Sequence, residues 1–142
     1  MTSRNEQLAE NLRRIESRVA AACARAGRDR AGVGLVAVTK QRPLEDLAAL
    51  HALGLAQFGE NRVQELRARV PALPSAVTWH LIGPLQTNKA KYLPGIVAWI
   101  HSVERVEVAE ALQQVWEKHP GIPPLHVLVQ VNIAGEEQKS GC

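Results

Sequence analysis

The sequence predicts an α/β fold built on a parallel sheet, and three observations carry that prediction. Short apolar, β-branched runs alternate with longer stretches of helical periodicity. The runs lack the strict in-and-out alternation of a half-solvated strand, so they suit a sheet covered on both faces. Glycine and proline fall at the joints between the two kinds of stretch. The clearest run is Val33–Lys40, V-G-L-V-A-V-T-K, which ends abruptly on a lysine. At the carboxyl end of a parallel strand, Lys40 would stand at the mouth where α/β folds bind ligands. A partly desolvated amine there loses its proton more easily and can take a carbonyl compound as a Schiff base. The alternative is a lysine that simply solvates a strand end.

Taken in order, Ser3 to Ala26 reads as a helix, with Leu8, Leu12, Ile15, Val19 and Cys23 at helical spacing. Ser3 and Glu6 have the form of a capping box, and Gly27 is a natural stop. After the first strand, Pro43 begins a helix with Glu45 and Asp46 in its first turn, Leu44, Leu47, Leu50 and Leu53 on its apolar side, and Gly54 at its end. A short second strand follows at Ala56 to Phe58. Gly59-Glu60-Asn61 then leads into a helix from Arg62 to about Val70, with Asn61 placed to cap it and Gln64 or Glu65 reaching back. Val77 to Ile82 is the third strand, and Leu85–Leu93 reads as a short helix. Ile96 to His101 is the fourth strand, Glu104 to Glu117 a helix, and Leu125 to Ile133 the fifth strand, with a polar tail after it.

The order is a helix, four βα units, then one strand and a loop. Right-handed crossovers between parallel strands follow from that alternation. No G-x-G-x-x-G follows the first strand and no G-x-x-x-x-G-K-[ST] occurs, so neither a dinucleotide nor a P-loop reading has support. A small doubly wound sheet and part of a (β/α)8 barrel both remain open. A whole barrel takes ~250 residues, and this chain has 142.

Composition narrows the function classes. A net charge of +3, with basic and acidic residues interspersed, gives no nucleic-acid surface. The aromatic residues Phe58, Trp79, Tyr92, Trp99 and Trp116 are too few for a base-stacking platform. No apolar run approaches the ~20 residues of a membrane span, and the N-terminus lacks the apolar core of a signal peptide. Cys23 and Cys142 make no metal-ligand spacing, so a cytoplasmic location and no metal are expected.

Four stretches together resemble the pyridoxal 5'-phosphate homeostasis protein family, of the YggS or PROSC type. They are V-A-V-T-K at Val36–Lys40, Q-F-G-E-N-R-V-Q-E at Gln57–Glu65, W-H-L-I-G-P-L-Q-T-N-K at Trp79–Lys89, and V-L-V-Q-V-N-I leading to K-S-G at Val127–Gly141. The resemblance implies the first half of a TIM-type parallel barrel, like the N-terminal domain of alanine racemase, with pyridoxal 5'-phosphate (PLP) at its C-terminal face. It implies that Lys40 is the Schiff-base lysine, without catalytic turnover, in a protein of vitamin B6 balance that passes the cofactor to PLP-requiring apo-enzymes. Asn61, His80 and Asn132 are implied as cofactor-binding residues, and Lys139 as a second acceptor for the aldehyde. Each has a plainer reading: a helix cap for Asn61, a satisfied core side chain for His80 and by the same logic for Asn132, and a solvated tail residue for Lys139. His80 alternates with Trp79, so one of them faces the barrel interior and the other the helices.

Two consequences of a half barrel are expected. The phosphate is usually gripped after the seventh and eighth strands, which these residues do not supply, so binding at Lys40 would be reversible and impaired. The sheet edges and one apolar face would be exposed, favouring self-association. The other readings are a PLP-dependent amino-acid racemase of the same barrel type and a half-barrel interaction module with no ligand.

Overall fold

The structure is a computed structural model, and it describes residues 3–142. Helix α1 (Arg4–Arg25) opens it with the expected capping box: Ser3 Oγ accepts from the Glu6 amide, and the Glu6 carboxylate accepts from the Ser3 N–H at 2.7 Å. Gly27, at φ +62°, makes the left-handed turn that stops the helix. Cys23 is the residue of α1 that is buried. Helix α2 (Leu44–Ala52) holds α1 through an ion pair, with Arg4 Nε and Nη2 forked onto the Asp46 carboxylate at 3.0 and 2.5 Å. A carboxylate in the first turn also suits the positive end of the helix.

Five strands follow one another across a single parallel sheet: β1 (Ala37–Val38), β2 (Gln57–Glu60), β3 (Thr78–Leu81), β4 (Trp99–Val103) and β5 (His126–Val129). Their spatial order is their chain order. A doubly wound sheet reverses direction at a switch point, whereas a barrel adds each strand beside the last. The order therefore resolves the open choice in favour of the partial (β/α) barrel, an open sheet with β1 and β5 at its edges. The outer face carries the core, where Phe58, Trp79, Leu81 and Ile100 meet Leu47, Val108 and Leu112 from α2 and α4 (Val106–Glu117). Leu66, from α3 (Val63–Arg69), completes this layer. The Phe58 and Trp79 rings lie 5.8 Å apart.

Several boundaries differ from the sequence expectation. The first strand is Ala37–Val38, not Val33–Lys40, because its ladder to β2 spans two residues and it has no second neighbour. Just before that run, Arg30–Gly32 forms an unanticipated 3₁₀ turn. The second strand continues through Gly59 and Glu60, past the expected end at Phe58, since both pair with β3. The segment expected as a short helix is a 3₁₀ turn at Thr87–Tyr92. The fourth strand begins at Trp99 and the fifth ends at Val129, with a bulge between Ile100 and Val103. On the open side, Val38 is 51% exposed, and Val127, Leu128 and Val129 are exposed along β5.

The Arg4 hydrogen bonds hold the Asp46 carboxyl below the usual carboxylate range. A group depressed in this way contributes stability above its unfolded pKa, near 3.9, and loses it as pH falls through the folded value. Asp46→Asn is therefore expected to lower the thermal midpoint at neutral pH. The gap to the wild-type chain should close below about pH 4, as read from circular-dichroism melts over a pH series.

Candidate functional site

The parallel register places Val38, Gly59, His80, Trp99 and His126 side by side across the sheet. Residues in register share a face, and this row lies on the inner one, away from the helices. Trp79 is on the other face, packed on Phe58, so of the Trp79–His80 pair it is the histidine that looks inward. The row is aromatic over three strands: Trp99 stacks on His126 at 4.4 Å and on His80 at 6.0 Å between ring centres. One turn of the pleat further along β4, His101 Nε2 and His80 Nδ1 share a hydrogen bond of 2.9 Å. His80 is 3% exposed, and its Nε2 has no partner among the described residues. Burial first, then the neighbouring His101, pushes His80 down to about 4; burial lowers His101 as well. Both rings are thus neutral at physiological pH.

Lys40 follows Val38 by two residues, in the turn beyond β1. It is exposed, which corrects the expectation of a partly desolvated amine. The reason is the edge position: β1 has a neighbour on one side only, and the row ends at Val38. Behind the turn, on the helix side, Glu60 is fully buried. Its Oε1 accepts from Thr39 Oγ1 at 2.5 Å and pairs with Arg69 Nη1 at 2.8 Å. Burial and the adjacent Glu65 carboxyl hold Glu60 above the usual carboxylate range, against the opposing pull of Thr39 and Arg69.

Asn61 is half-buried and does not cap α3: the cap position is Arg62, with no side-chain bond to the helix. Its backbone meets β3 instead. A Cβ on Gly83 would lie 2.2 Å from the Asn61 carbonyl oxygen, so only glycine fits there. Ser102 Oγ, at the end of β4, donates to the Gly83 carbonyl at 2.5 Å and ties a third strand end into the same lace. Asn61 also borders a cleft of ≈ 640 Å³ with Gln64, Gln86, Lys89 and Arg105.

Asn132 and Lys139 come together, but apart from Lys40. Asn132 Nδ2 donates to the carbonyls of Glu136 at 2.9 Å and Lys139 at 3.3 Å, so its amide shapes the loop after β5. Lys139 Nζ pairs with Glu136 at 2.7 Å and is exposed. Lys40 follows one edge strand and this loop follows the other, so the five candidates do not form one cluster. Sequence reasoning missed Glu60, Arg69, Trp99, His101 and Ser102. Signals for three of them were present: Glu60 sits inside the G-E-N stretch, and Trp99 and His101 alternate along β4.

By fold and by the placement of these groups, the chain is a partial (β/α) barrel whose polar side chains gather toward the carboxyl ends of its strands, where barrels of this kind bind ligands. Comparison with known proteins narrows this further. No family model matches the chain. It is 43% identical over 138 residues to the pyridoxal phosphate homeostasis protein of Pseudomonas aeruginosa, an alignment covering 95% of this chain and 58% of that protein. An unknown protein from Bifidobacterium adolescentis superposes with a TM-score of 0.84 at 31% identity, covering all of this chain and 62% of the other. PipY of Synechococcus elongatus, in a structure with PLP bound, superposes with a TM-score of 0.70 at 34% identity, covering 89% of this chain and 55% of PipY. The chain belongs to the pyridoxal phosphate homeostasis protein family, and it spans about 58% of the length of its curated relatives.

Two expectations follow from the geometry. Between pH 4 and 6.5 the unfolded chain protonates His80 and the folded chain does not, so stability rises with pH across that window. His80 should add up to ~1.4 kcal/mol per pH unit to that slope, and His80→Phe should remove its share in denaturant titrations at stepped pH. Gly83→Ala should cost roughly 2–3 kcal/mol through the clash with Asn61, measured by the same unfolding assay.

Proposed function

We propose that this chain supplies the lysine-bearing part of a pyridoxal 5'-phosphate site and takes part in vitamin B6 balance, holding PLP as a Schiff base on Lys40 without catalytic turnover. One observation carries the reading: at the carboxyl end of β1, Lys40 stands with no ion pair among the described residues, on a turn fixed by its neighbours. Of the other lysines, Lys139 is paired with Glu136, Lys89 and Lys91 lie over the Tyr92 ring, and Lys118, also without an ion pair among the described residues, caps the C-terminus of α4 and follows no strand. The aldehyde chemistry comes with the cofactor, and the chain provides a free amine to receive it. Family membership and the PLP-bound PipY structure support the choice of ligand.

His80 and Asn61 serve this reading as the neutral imidazole of the inner row and the amide at the next strand end. Asn132 and Lys139 shape the loop at the far edge, and Lys139 becomes a second acceptor when its ion pair with Glu136 opens. The phosphate carries about two negative charges, and the half-buried guanidinium behind Lys40, that of Arg69, is already committed to Glu60. Binding is therefore reversible and weak for this stretch of chain. PLP-requiring apo-enzymes are the natural recipients, in the cytoplasm, where the free thiols of Cys23 and Cys142 stay reduced. The exposed apolar side chains of β5 favour self-association, which sedimentation would detect.

No observation favours the racemase alternative. The one tyrosine, Tyr92, lies on the outer perimeter with the Arg67 guanidinium 4.5 Å from its ring centre.

The test is direct. On incubation with PLP and reduction with borohydride, the label should concentrate on Lys40, and Lys40→Ala should lose the visible imine absorbance. Label spread evenly over the five lysines would reject the proposal.

A further inference from the structure

The turn that carries Lys40 is fastened from behind by a side chain that the aldehyde reading leaves unused. Arg69, the last residue of α3, sends Nη1 to the Thr39 carbonyl and Nη2 to the Arg42 carbonyl, each at 2.9 Å. Its planar fork therefore spans the two backbone positions that bracket Lys40 and Gln41. The same Nη1 rests on Glu60 Oε1, which also accepts from Thr39 Oγ1, and the Thr39 N–H donates to the Gly59 carbonyl at 3.0 Å. Both ends of the turn are thus tied to β2 and α3. Within it, Gln41 has φ +59°, a conformation that a non-glycine residue keeps only when its surroundings hold it there.

The seat beneath the fork is itself closed. Glu60 is fully buried, and its Oε2 and that of Glu65 have no hydrogen-bond partner among the described residues. The Arg69 guanidinium is thus the cation paired with Glu60, at 2.8 Å, and the pair is costly to open because removing the cation leaves a carboxyl buried alone.

We infer that Arg69 is a positioning residue for Lys40, its guanidinium seated on Glu60 and fixing the Thr39–Arg42 turn so that the amine is presented at the strand end. This rests on the reading of Lys40 as the aldehyde acceptor. Lysine at position 69 would keep the charge beside Glu60 but not the fork, since an ammonium group is a point donor that cannot span both carbonyls.

The experiment compares the wild-type chain with Arg69→Lys, Arg69→Ala and Thr39→Val. Each is exposed to PLP and reduced with borohydride, and the share of label on Lys40 is read by mass spectrometry against Lys89, Lys91, Lys118 and Lys139 as internal references. Melts confirm that the compared chains are folded, and tryptic cleavage after Lys40 reports the turn independently. Arg69→Lys is expected to melt near the wild type, to lose the Lys40 preference by about tenfold, and to be cut faster after Lys40. Thr39→Val keeps the fork and loses one tie, so it should show a smaller fall in the same direction, and it carries the comparison if the Arg69 variants do not fold. A folded Arg69→Lys chain with the wild-type label pattern and cleavage rate would overturn the inference and leave the Lys40 reading standing. A wild-type chain with no preference for Lys40 would reject that reading, and the positioning role with it.

Discussion

The register between parallel strands is the constraint on which the rest depends. Setting Val38 beside Gly59, then His80, Trp99 and His126, sends every second residue of each strand to the same face. One consequence is an outer layer that is almost wholly apolar and packed by helices. The other is an inner row of aromatic and imidazole rings. A slip of one residue in β3 would exchange Trp79 with His80, burying an indole in the barrel interior and pushing an imidazole under the helices. The glycine at position 59 belongs to the same pattern: a Cβ there would meet Ile82 and Val36 at 3.3 Å, so the inner row is already close-packed beside β1.

The elements were legible in the sequence where the signal is local. The capping box on Ser3 and Glu6, the helix stops at Gly27 and Gly54, and the alternation of strand and helix all follow from neighbouring residues. Strand ends were less legible, because a strand extends only as far as its neighbour pairs with it. β1 shrinks to two residues at an edge, while β2 runs on through Gly59 and Glu60 between two partners. The apolar run Val33–Lys40 carried no mark of that difference.

The site was legible in part. The strand-end lysine could be read from position, and alternation put one of Trp79 and His80 inward without deciding which. The Asn61 cap could not be refuted without coordinates, since a polar residue before a helix looks the same whether or not it bonds the helix. What Arg69 and Glu60 do was invisible for another reason: the contacts that give them meaning reach across 21 and 30 residues of chain. Charge within a helix ordinarily reads as solvated surface, and only the packing of α3 over the ends of β1 and β2 makes this charge internal. Family resemblance filled some of that gap by naming the stretch in which Glu60 lies, though not what the carboxyl does there.

Because spatial order repeats chain order, each βα unit docks on the one made just before it. Ladder bonds join only successive units, so no strand has to wait for a distant segment before it finds its place. A nascent chain leaving the ribosome could add this sheet one unit at a time, with the ends of β1 and β2 laced together before β5 has been synthesised. Growth in that direction makes the Lys40 turn one of the earliest parts of the molecule to settle and the apolar β5 rim the last.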